Sequence, residues 1–151
     1  QVYLASASPS PRLEGQVRAA FGAHFCEVEV DTELGEVRVT KYTTVHDSGR
    51  LMNPLSARGQ IQGAVIQGIG YALYETREID SRTGDVLSGG MEDYRIPGIA
   101  DTPMIDVHFD QGGFDHVLGG SVGIGEAATV PTSPAVASSS FTRITIRFAS
   151  T

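Results

Sequence analysis

The sequence from residue 53 to residue 75 reads NPLSARGQIQGAVIQGIGYALYE and decides most of the fold. Asn53 can cap free backbone N–H groups, and Pro54 loses no hydrogen bond at the first helical position. Apolar residues then recur at helical spacing, at Leu55, Ile61, Val65, Ile69, Ala72 and Leu73. This pattern predicts an α-helix from Pro54 to about Glu75, roughly 33 Å long.

The predicted helix contains the glycines Gly59, Gly63, Gly68 and Gly70. Each costs about 1 kcal/mol relative to alanine in a helix interior, so together they cost about 4 kcal/mol. A free-standing helix would not carry such a penalty. We therefore expect another helix or a cofactor to press close to this backbone.

Gln60 and Gln67 lie on one face of the predicted helix, on either side of Ala64. Their amides can donate and accept hydrogen bonds, which makes both residues candidates for contacting a ligand. A solvent-facing polar stripe would show the same spacing, and this alternative stays open.

Two alternating runs precede the helix. Apolar and polar residues alternate through residues 25–31, and a second run follows the turn at Leu34-Gly35 with Val37, Val39 and Tyr42. A period of two predicts β-strands with one covered face, and the short turn predicts that they form a hairpin.

Weaker patterns follow the helix. Residues 75–79 and 86–87 are predicted as short strands around a polar turn, and Ile105, Val107 and Phe109 alternate as another strand. A second helix is predicted over residues 129–137, with Ser133 as its cap and Pro134 at its first position. The fold class is therefore α+β, with a β-hairpin and short strands packed with one long glycine-rich helix and a second shorter helix.

The chain divides into three predicted regions. Residues 1–20 are rich in serine and proline and are expected to be an irregular lead-in. Residues 21–137 carry the patterns described above. Residues 138–151 are expected to be an atypical tail, in which residues 143–148 alternate like a strand.

A second distinctive stretch, residues 119–130, reads GGSVGIGEAATV. Its glycines favour a loop shaped for a ligand or a tight turn. Glu126 ends that loop among Ile124, Ala127, Ala128 and Val130, and packing against them would raise the pKa of its carboxyl toward the range of a general base. The alternative is a surface turn in which Glu126 opens a helix.

Composition places the chain among globular proteins. Hydrophobic residues make up 40% and charged residues 19% of 151 residues. A net charge of −7 argues against nucleic acid as a partner. The single cysteine, Cys26, is expected to be a buried small hydrophobe, and the four histidines show no metal-ligand spacing, so no metal ligands are predicted on this chain.

Three blocks resemble, in the same order, the molybdopterin-binding catalytic subunit of the molybdenum hydroxylases, the family of xanthine dehydrogenase and aldehyde oxidase. They are the strand at residues 21–31, the Asn-Pro-led helix with its Gln-x-x-Gly motif, and the loop that ends in Gly-Glu. The resemblance covers about residues 20–137 and makes this segment a portion of a larger molybdopterin-binding domain.

The resemblance also implies roles for individual residues. Glu126 would be the catalytic base, and Gln60 would hydrogen-bond the pterin cofactor, with Gln67 as a second contact. Further cofactor contacts are expected in the loop, at Ser121, Gly123 and Gly125.

By the same resemblance, the protein is an oxidoreductase that hydroxylates an aldehyde or an aromatic N-heterocycle with water as the oxygen source. Its cofactor would be molybdenum–pterin, as molybdopterin or its cytosine dinucleotide form. Iron–sulfur clusters, and FAD on a flavin subunit, would sit on partner modules, because one cysteine is too few to hold a cluster. The chain would be a C-terminal part of the molybdopterin-binding subunit and inactive alone.

A different class of protein stays open. The chain could be a non-catalytic α+β binding or assembly module whose glycine-rich helix packs on a partner subunit. No signal peptide pattern and no apolar run of about 18 residues is visible. A cytoplasmic location is expected, with the periplasm as the alternative.

Overall fold

The computed structural model describes residues 19–142. Its strands and α-helices are β1 at Phe21–Val30, β2 at Val37–Asp47, α1 at Pro54–Leu73, β3 at Met104–Asp110 and α2 at Thr129–Thr142. Single 3-10 turns lie at Ile99–Asp101 and Leu118–Gly120. The predicted α+β class is confirmed.

β1 and β2 form the predicted antiparallel hairpin. At its turn Gly35 has a φ of 73°, and its N–H donates to the carbonyl oxygen of Asp31 at 2.8 Å. The carboxylate of Asp31 accepts from the N–H groups of Glu33 and Leu34, each at 2.9 Å. This Asp-anchored turn fixes the register of the hairpin.

β3 pairs in parallel with β2, so the sheet has the order β1-β2-β3. Parallel neighbours cannot be joined by a tight turn and need a crossover connection. α1 lies in that connection, and it packs with α2 against the same face of the sheet.

The two helices and this face of the sheet enclose the hydrophobic core. The buried residues of the core are Val28, Val39, Tyr42, Ile61, Ala64, Val65, Ile69, Val107, Ala128 and Val136. The opposite face is open to solvent, and on it Phe21, Phe25 and Met104 are 56%, 63% and 70% exposed. The site described below lies at the end of the sheet where β2 leads into α1.

α1 begins as predicted. The Oδ1 of Asn53 accepts from the N–H of Ser56 at 3.1 Å, and Pro54 is the first helical residue. The helix ends at Leu73, slightly before the predicted end. Leu55 departs from the predicted apolar stripe, since it is 81% exposed.

The helix glycines divide into two pairs. A Cβ on Gly68 would lie 2.4 Å from the Cβ of Thr132 in α2, and one on Gly70 would lie 3.0 Å from Pro97. By contrast, a Cβ on Gly59 or Gly63 would meet nothing within 4 Å. Close packing is therefore confirmed at Gly68 and Gly70, whereas Gly59 and Gly63 face open space in the described part of the chain.

α2 differs from its prediction. It begins at Thr129, so Pro134 lies inside the helix rather than at its first position. The N–H of Thr129 donates to the carbonyl oxygen of Glu126 at 3.0 Å, and this turn starts the helix early. Ser133 is no cap, because its hydroxyl donates to a main-chain oxygen of α1 at 2.9 Å. The helix also continues through residues 138–142, past its predicted end.

Residues 75–79 and 86–87 do not form the predicted strands. They share one isolated bridge between Ile79 and Val86, closed by the polar turn expected between them. Most of the predicted lead-in, residues 1–18, and the alternating run at residues 143–148 lie outside the described residues.

Candidate functional site

The segment that follows β2 meets the glycine-rich loop beside the start of α1. The N–H of Arg50 donates to the carbonyl oxygen of Gly120 at 2.7 Å, and the N–H of Val122 donates to that of Ser48 at 3.0 Å. These hydrogen bonds flank an antiparallel bridge between Gly49 and Ser121. Together they fix the loop to the segment that leads into the helix.

Gly49 allows this close approach. Its φ is +69°, and a Cβ there would lie 2.2 Å from the carbonyl oxygen of Gly120 and 3.0 Å from the buried Phe114. Both the left-handed backbone and the contact exclude a side chain at this position. Gly119 and Gly120 also have positive φ, 79° and 66°, which turns the loop back toward Gly49.

Gln60 ties α1 to the same loop. Its Nε2 donates to the carbonyl oxygen of Gly125 at 2.6 Å. Gly125 directly precedes Glu126, so this hydrogen bond restrains the backbone that carries the predicted base. The Oε1 of the amide keeps its capacity to accept a hydrogen bond from another group.

An open cleft of about 330 Å³ lies between the bridge and α1, a size typical of small-molecule sites. It is lined by Ser48, Arg50, Leu51, Met52, Asn53, Ser56, Ala57, Gln60, Ser121, Val122, Gly123 and Ile124. The predicted cofactor contacts Gln60, Ser121 and Gly123 therefore meet in one place, although they are distant in sequence.

The two other predicted contacts are placed differently. Gly125 does not line the cleft but holds the amide of Gln60. The Nε2 of Gln67 donates to the hydroxyl of Tyr71 at 2.7 Å, and its Oε1 accepts from the hydroxyl of Thr129 at 3.4 Å. Gln67 thus joins α1 to the start of α2 and does not line the cleft.

Glu126 lies in the turn before α2, and its side chain is exposed. Ala128 is 0% exposed, but Val130 is 76% exposed, so the neighbouring apolar residues do not enclose the carboxyl group. The predicted burial of Glu126 is therefore wrong for the part of the chain that the structure describes. A carboxylate can still accept a proton from a molecule bound within reach.

Ser48 and Arg50 belong to the cleft, although no sequence pattern singles them out. Ser48 is 2% exposed, and its hydroxyl has no hydrogen-bond partner among the described residues. Arg50 is exposed and, within the described part of the chain, is the only charged residue that lines the cleft. The single local signal is the turn-prone triplet at residues 47–49, and only the pairing with the loop places these side chains together.

These residues fit an organic cofactor that carries acceptor groups. The hydroxyl of Ser48 and the guanidinium of Arg50 are donors without a described partner in the cleft. A Cβ on Gly123 would meet nothing within 4 Å, which leaves room for a ligand to approach the backbone. Leu51 and Met52 add an apolar wall for an uncharged part of the same molecule.

A buried polar network lies between β1, β2 and α2. The Nδ1 of His24 lies 2.8 Å from the hydroxyl of Tyr42, and its Nε2 lies 3.1 Å from the Nε2 of His46. The hydroxyl of Thr132 lies 3.4 Å from the Nδ1 of His24 and donates to the carbonyl oxygen of Ala128 at 2.6 Å. The network therefore connects the sheet to the turn that carries Glu126.

Burial keeps this network neutral. Burial, with a smaller contribution from the charge of His46, lowers the pKa of His24 to about 4. Burial raises the pKa of Tyr42 to about 12. Burial also lowers the pKa of His46. Near pH 7 the sheet and α2 thus meet through uncharged rings and hydroxyls.

Cys26, expected to be a buried small hydrophobe, is half-buried, and its thiol donates to the hydroxyl of Ser139 at 3.1 Å. Across residues 19–142 no group of three or more His, Cys, Asp or Glu side chains is arranged to hold a metal ion. Over the same residues no helix combines the length and apolar character that crossing a membrane requires.

Comparison with known proteins identifies relatives. The family model of the molybdopterin cofactor-binding domain matches residues 6–103. The putative xanthine dehydrogenase molybdenum-binding subunit XdhA of Escherichia coli K12 is 35% identical over 117 residues, which are 78% of this chain and 16% of that subunit. The aldehyde oxidoreductase molybdenum-binding subunit PaoC of the same organism is 40% identical over 92 residues, 61% of this chain and 13% of that subunit. The chain therefore spans less than a fifth of the length of either relative.

The fold has a close counterpart among solved structures. The crystal structure of the Cu,Mo-CO dehydrogenase in its carbon monoxide reduced state superposes with a TM-score of 0.72 at 26% identity, over 77% of this chain and 14% of that one. The family match ends at residue 103, so the cleft combines matched residues from the β2–α1 segment with the loop beyond the match.

Proposed function

The chain belongs to the molybdopterin cofactor-binding domain family, and from this premise we propose that it is part of the catalytic subunit of a molybdenum hydroxylase. The family is that of the xanthine dehydrogenase and aldehyde oxidoreductase type. The proposed reaction is hydroxylation of an aldehyde or an aromatic N-heterocycle with water as the oxygen source. Because the chain spans 16% and 13% of the two relatives, this activity is proposed for the whole protein and not for these residues alone.

One observation carries the proposal. Gln60 from α1 lines the same cleft as Ser121 and Gly123 from the loop, and its amide is bonded to the residue that precedes Glu126. The group proposed to hold the cofactor is thus connected directly to the loop that carries the proposed base.

Each of these residues has a proposed part. The molybdenum–pterin group, when bound, supplies a redox centre that accepts electrons from the substrate. Gln60 would accept a hydrogen bond at its Oε1, because the Gly125 carbonyl already holds its Nε2. Ser121 would donate its hydroxyl, and Gly123 would let the ligand approach the backbone closely.

Glu126 is the proposed general base. Its carboxylate would accept the proton that water loses as its oxygen bonds to the substrate carbon, while the C–H bond of that carbon breaks and its two electrons pass to the redox centre. The main-chain bonds at Gly125 and Thr129 restrain the turn on either side of this residue. We expect the remainder of the molybdopterin-binding subunit to complete the substrate pocket, and iron–sulfur and flavin partners to receive the electrons.

Molybdenum and pterin content of the native protein that contains this chain tests the proposal. We expect both to be present in a fixed ratio to the protein. Absence of both would overturn the proposal and favour the non-catalytic module, for which the open helix face at Gly59 and Gly63 offers a packing surface.

A further inference from the structure

The hydroxyl of Ser48 is anomalous for a buried polar group. The residue is 2% exposed, and its Oγ has no hydrogen-bond partner among the described residues. Buried polar groups in folded proteins are nearly always paired, because an unpaired one loses its hydration without compensation. Ser48 lines the cleft, so a ligand that reaches the cleft floor could supply the missing acceptor.

The charge of the cleft points to an anion. Among residues 19–142, Arg50 is the only charged residue that lines the cleft, although the chain as a whole carries a net charge of −7. None of the described residues that line the cleft carries a carboxylate. Asp47, the neighbour of Ser48, is not among the described residues that line the cleft. It ends β2, where it pairs with Phe21 and Asp110, and its Oδ1 is buried without a hydrogen-bond partner among the described residues.

The remaining lining residues indicate which kind of anion the cleft would bind. Ser56 and Ser121 bring two more hydroxyl groups, which can donate to an oxyanion. Several donors around one guanidinium suit a phosphate, whose oxygens accept many hydrogen bonds and match the planar fork of arginine. Apolar side chains complete the walls, namely Leu51, Met52, Val122 and Ile124. A phosphate attached to an organic group would contact both the hydrogen-bond donors and the apolar walls.

We propose that this cleft is a phosphate subsite in which Ser48 and Arg50 donate to the phosphate group. Under the function proposed above, the occupant is the phosphate of the pterin cofactor. Free phosphate shares the same chemistry and is the second source. Phosphate binding is inferred from the cleft, the unpartnered hydroxyl of Ser48 and the positive charge of Arg50, and it does not depend on the proposed enzyme function.

Titration calorimetry with inorganic phosphate tests the subsite in the full native protein, prepared from cells that cannot synthesise the pterin. Ser48→Ala and Arg50→Gln should each weaken binding roughly tenfold or more, since each removes a donor to a charged group. The matched controls are Ser81→Ala and Arg82→Gln, which make the same changes in the exposed polar turn and should leave binding unaltered. Equal affinity in all four variants, or no binding by the parent protein, would overturn the proposal.

Thermal unfolding without ligand gives an independent reading for Ser48. Ser48→Ala should leave the Tm unchanged or raise it, because it deletes a hydroxyl with no partner. A clear fall in Tm would show that the hydroxyl is already paired in the protein and would count against its role as a free donor.

The cofactor-loaded protein identifies the source of the phosphate. If the cofactor fills the subsite, the loaded protein should not bind inorganic phosphate. Binding there that still depends on Ser48 and Arg50 would support the subsite with free phosphate as its occupant. Absence of pterin from the native protein would defeat the proposed enzyme function, but phosphate binding in the cleft would remain measurable on its own.

Discussion

The Nε2 atoms of His24 and His46 lie 3.1 Å apart in the interior between the sheet and α2. Such a contact requires one ring to donate and the other to accept, so protonating both rings breaks it. Burial already lowers the pKa of both side chains, that of His24 to about 4. The histidine pair is therefore a point where acid should weaken the fold.

The first prediction concerns this acid sensitivity. An unfolded chain protonates His24 below about pH 6.5, whereas the folded chain keeps it neutral until about pH 4. The contribution of neutral His24 to the free energy of unfolding is thus fully present above pH 6.5, and it falls as the pH decreases toward 4. Urea unfolding of the native protein at several pH values should show this slope, reduced in His24→Gln and retained in the exposed His108→Gln control. Identical pH profiles for the two variants would contradict the assignment.

The second prediction concerns the amide of Gln60. Gln60→Ala removes the hydrogen bond to Gly125, which should loosen the loop by about 0.5–1.5 kcal/mol. It should also lower the pterin content of the purified protein while the circular dichroism spectrum stays unchanged. Gln67→Ala is the matched control, because Tyr71 and Thr129 already hold that amide. An equal loss of pterin in both variants would make Gln67 a cofactor contact after all.

The helix glycines give a third prediction with opposite signs at two positions. Gly68→Ala should destabilise the protein by about 1–3 kcal/mol, because the new Cβ collides with Thr132. Gly63→Ala meets nothing within 4 Å and should instead gain up to about 1 kcal/mol of helix propensity. Urea midpoints measure both. Destabilisation by Gly63→Ala would reveal a partner or cofactor packed on this face.

Gly49 gives a fourth prediction. Gly49→Ala adds a collision with the carbonyl oxygen of Gly120 to the strain of a positive φ, whereas Gly84→Ala adds the strain alone. Gly84→Ala should therefore cost about 1–2 kcal/mol and Gly49→Ala clearly more. Phosphate binding in the cleft should fall only in the Gly49 variant. Equal stabilities of the two variants would mean that the bridge between Gly49 and Ser121 can shift to accept a Cβ without lowering the free energy of unfolding.

The fifth prediction concerns the proposed base. Glu126→Gln keeps the size of the side chain but cannot accept a proton, so turnover of the native enzyme should fall at least about 10²-fold. Molybdenum and pterin content should stay constant, and the exposed Glu33→Gln should behave like the parent protein. Near-normal turnover would mean that Glu126 only helps to form the turn before α2 and is not the general base. Loss of molybdenum would instead make it a structural residue of the site.

The hairpin, α1 and β3 could be predicted because their signals are local. An alternating run, an Asn-Pro start and a helical stripe each act within a few residues. The hairpin, α1 and β3 lie near their predicted bounds in the structure. The parallel pairing of β2 with β3 has no local signal, since it joins residues on either side of α1. α2 begins earlier than predicted because the turn at Glu126 starts the helix at Thr129, which leaves Pro134 inside it.

The site was predictable only in part for the same reason. Gln60, Ser121 and Gly123 belong to recognisable motifs, and the fold gathers them in one cleft. Ser48 and Arg50 have no motif and enter through the bridge at Gly49. The exposure of Glu126 depends on what the fold packs against the loop, which neighbouring residue types alone do not determine.

The crossover between β2 and β3 has a consequence for synthesis. The hairpin leaves the ribosome before β3, which begins only at Met104, after the whole of α1. Until then the edge of β2 from Lys41 to Asp47 presents unpaired N–H and C=O groups, which are a template for pairing with another chain. Long-range pairing of this kind forms slowly, so the nascent chain passes through a vulnerable interval that a chaperone could shorten. A chain that terminates before β3 should therefore aggregate rather than persist as a soluble, inactive product.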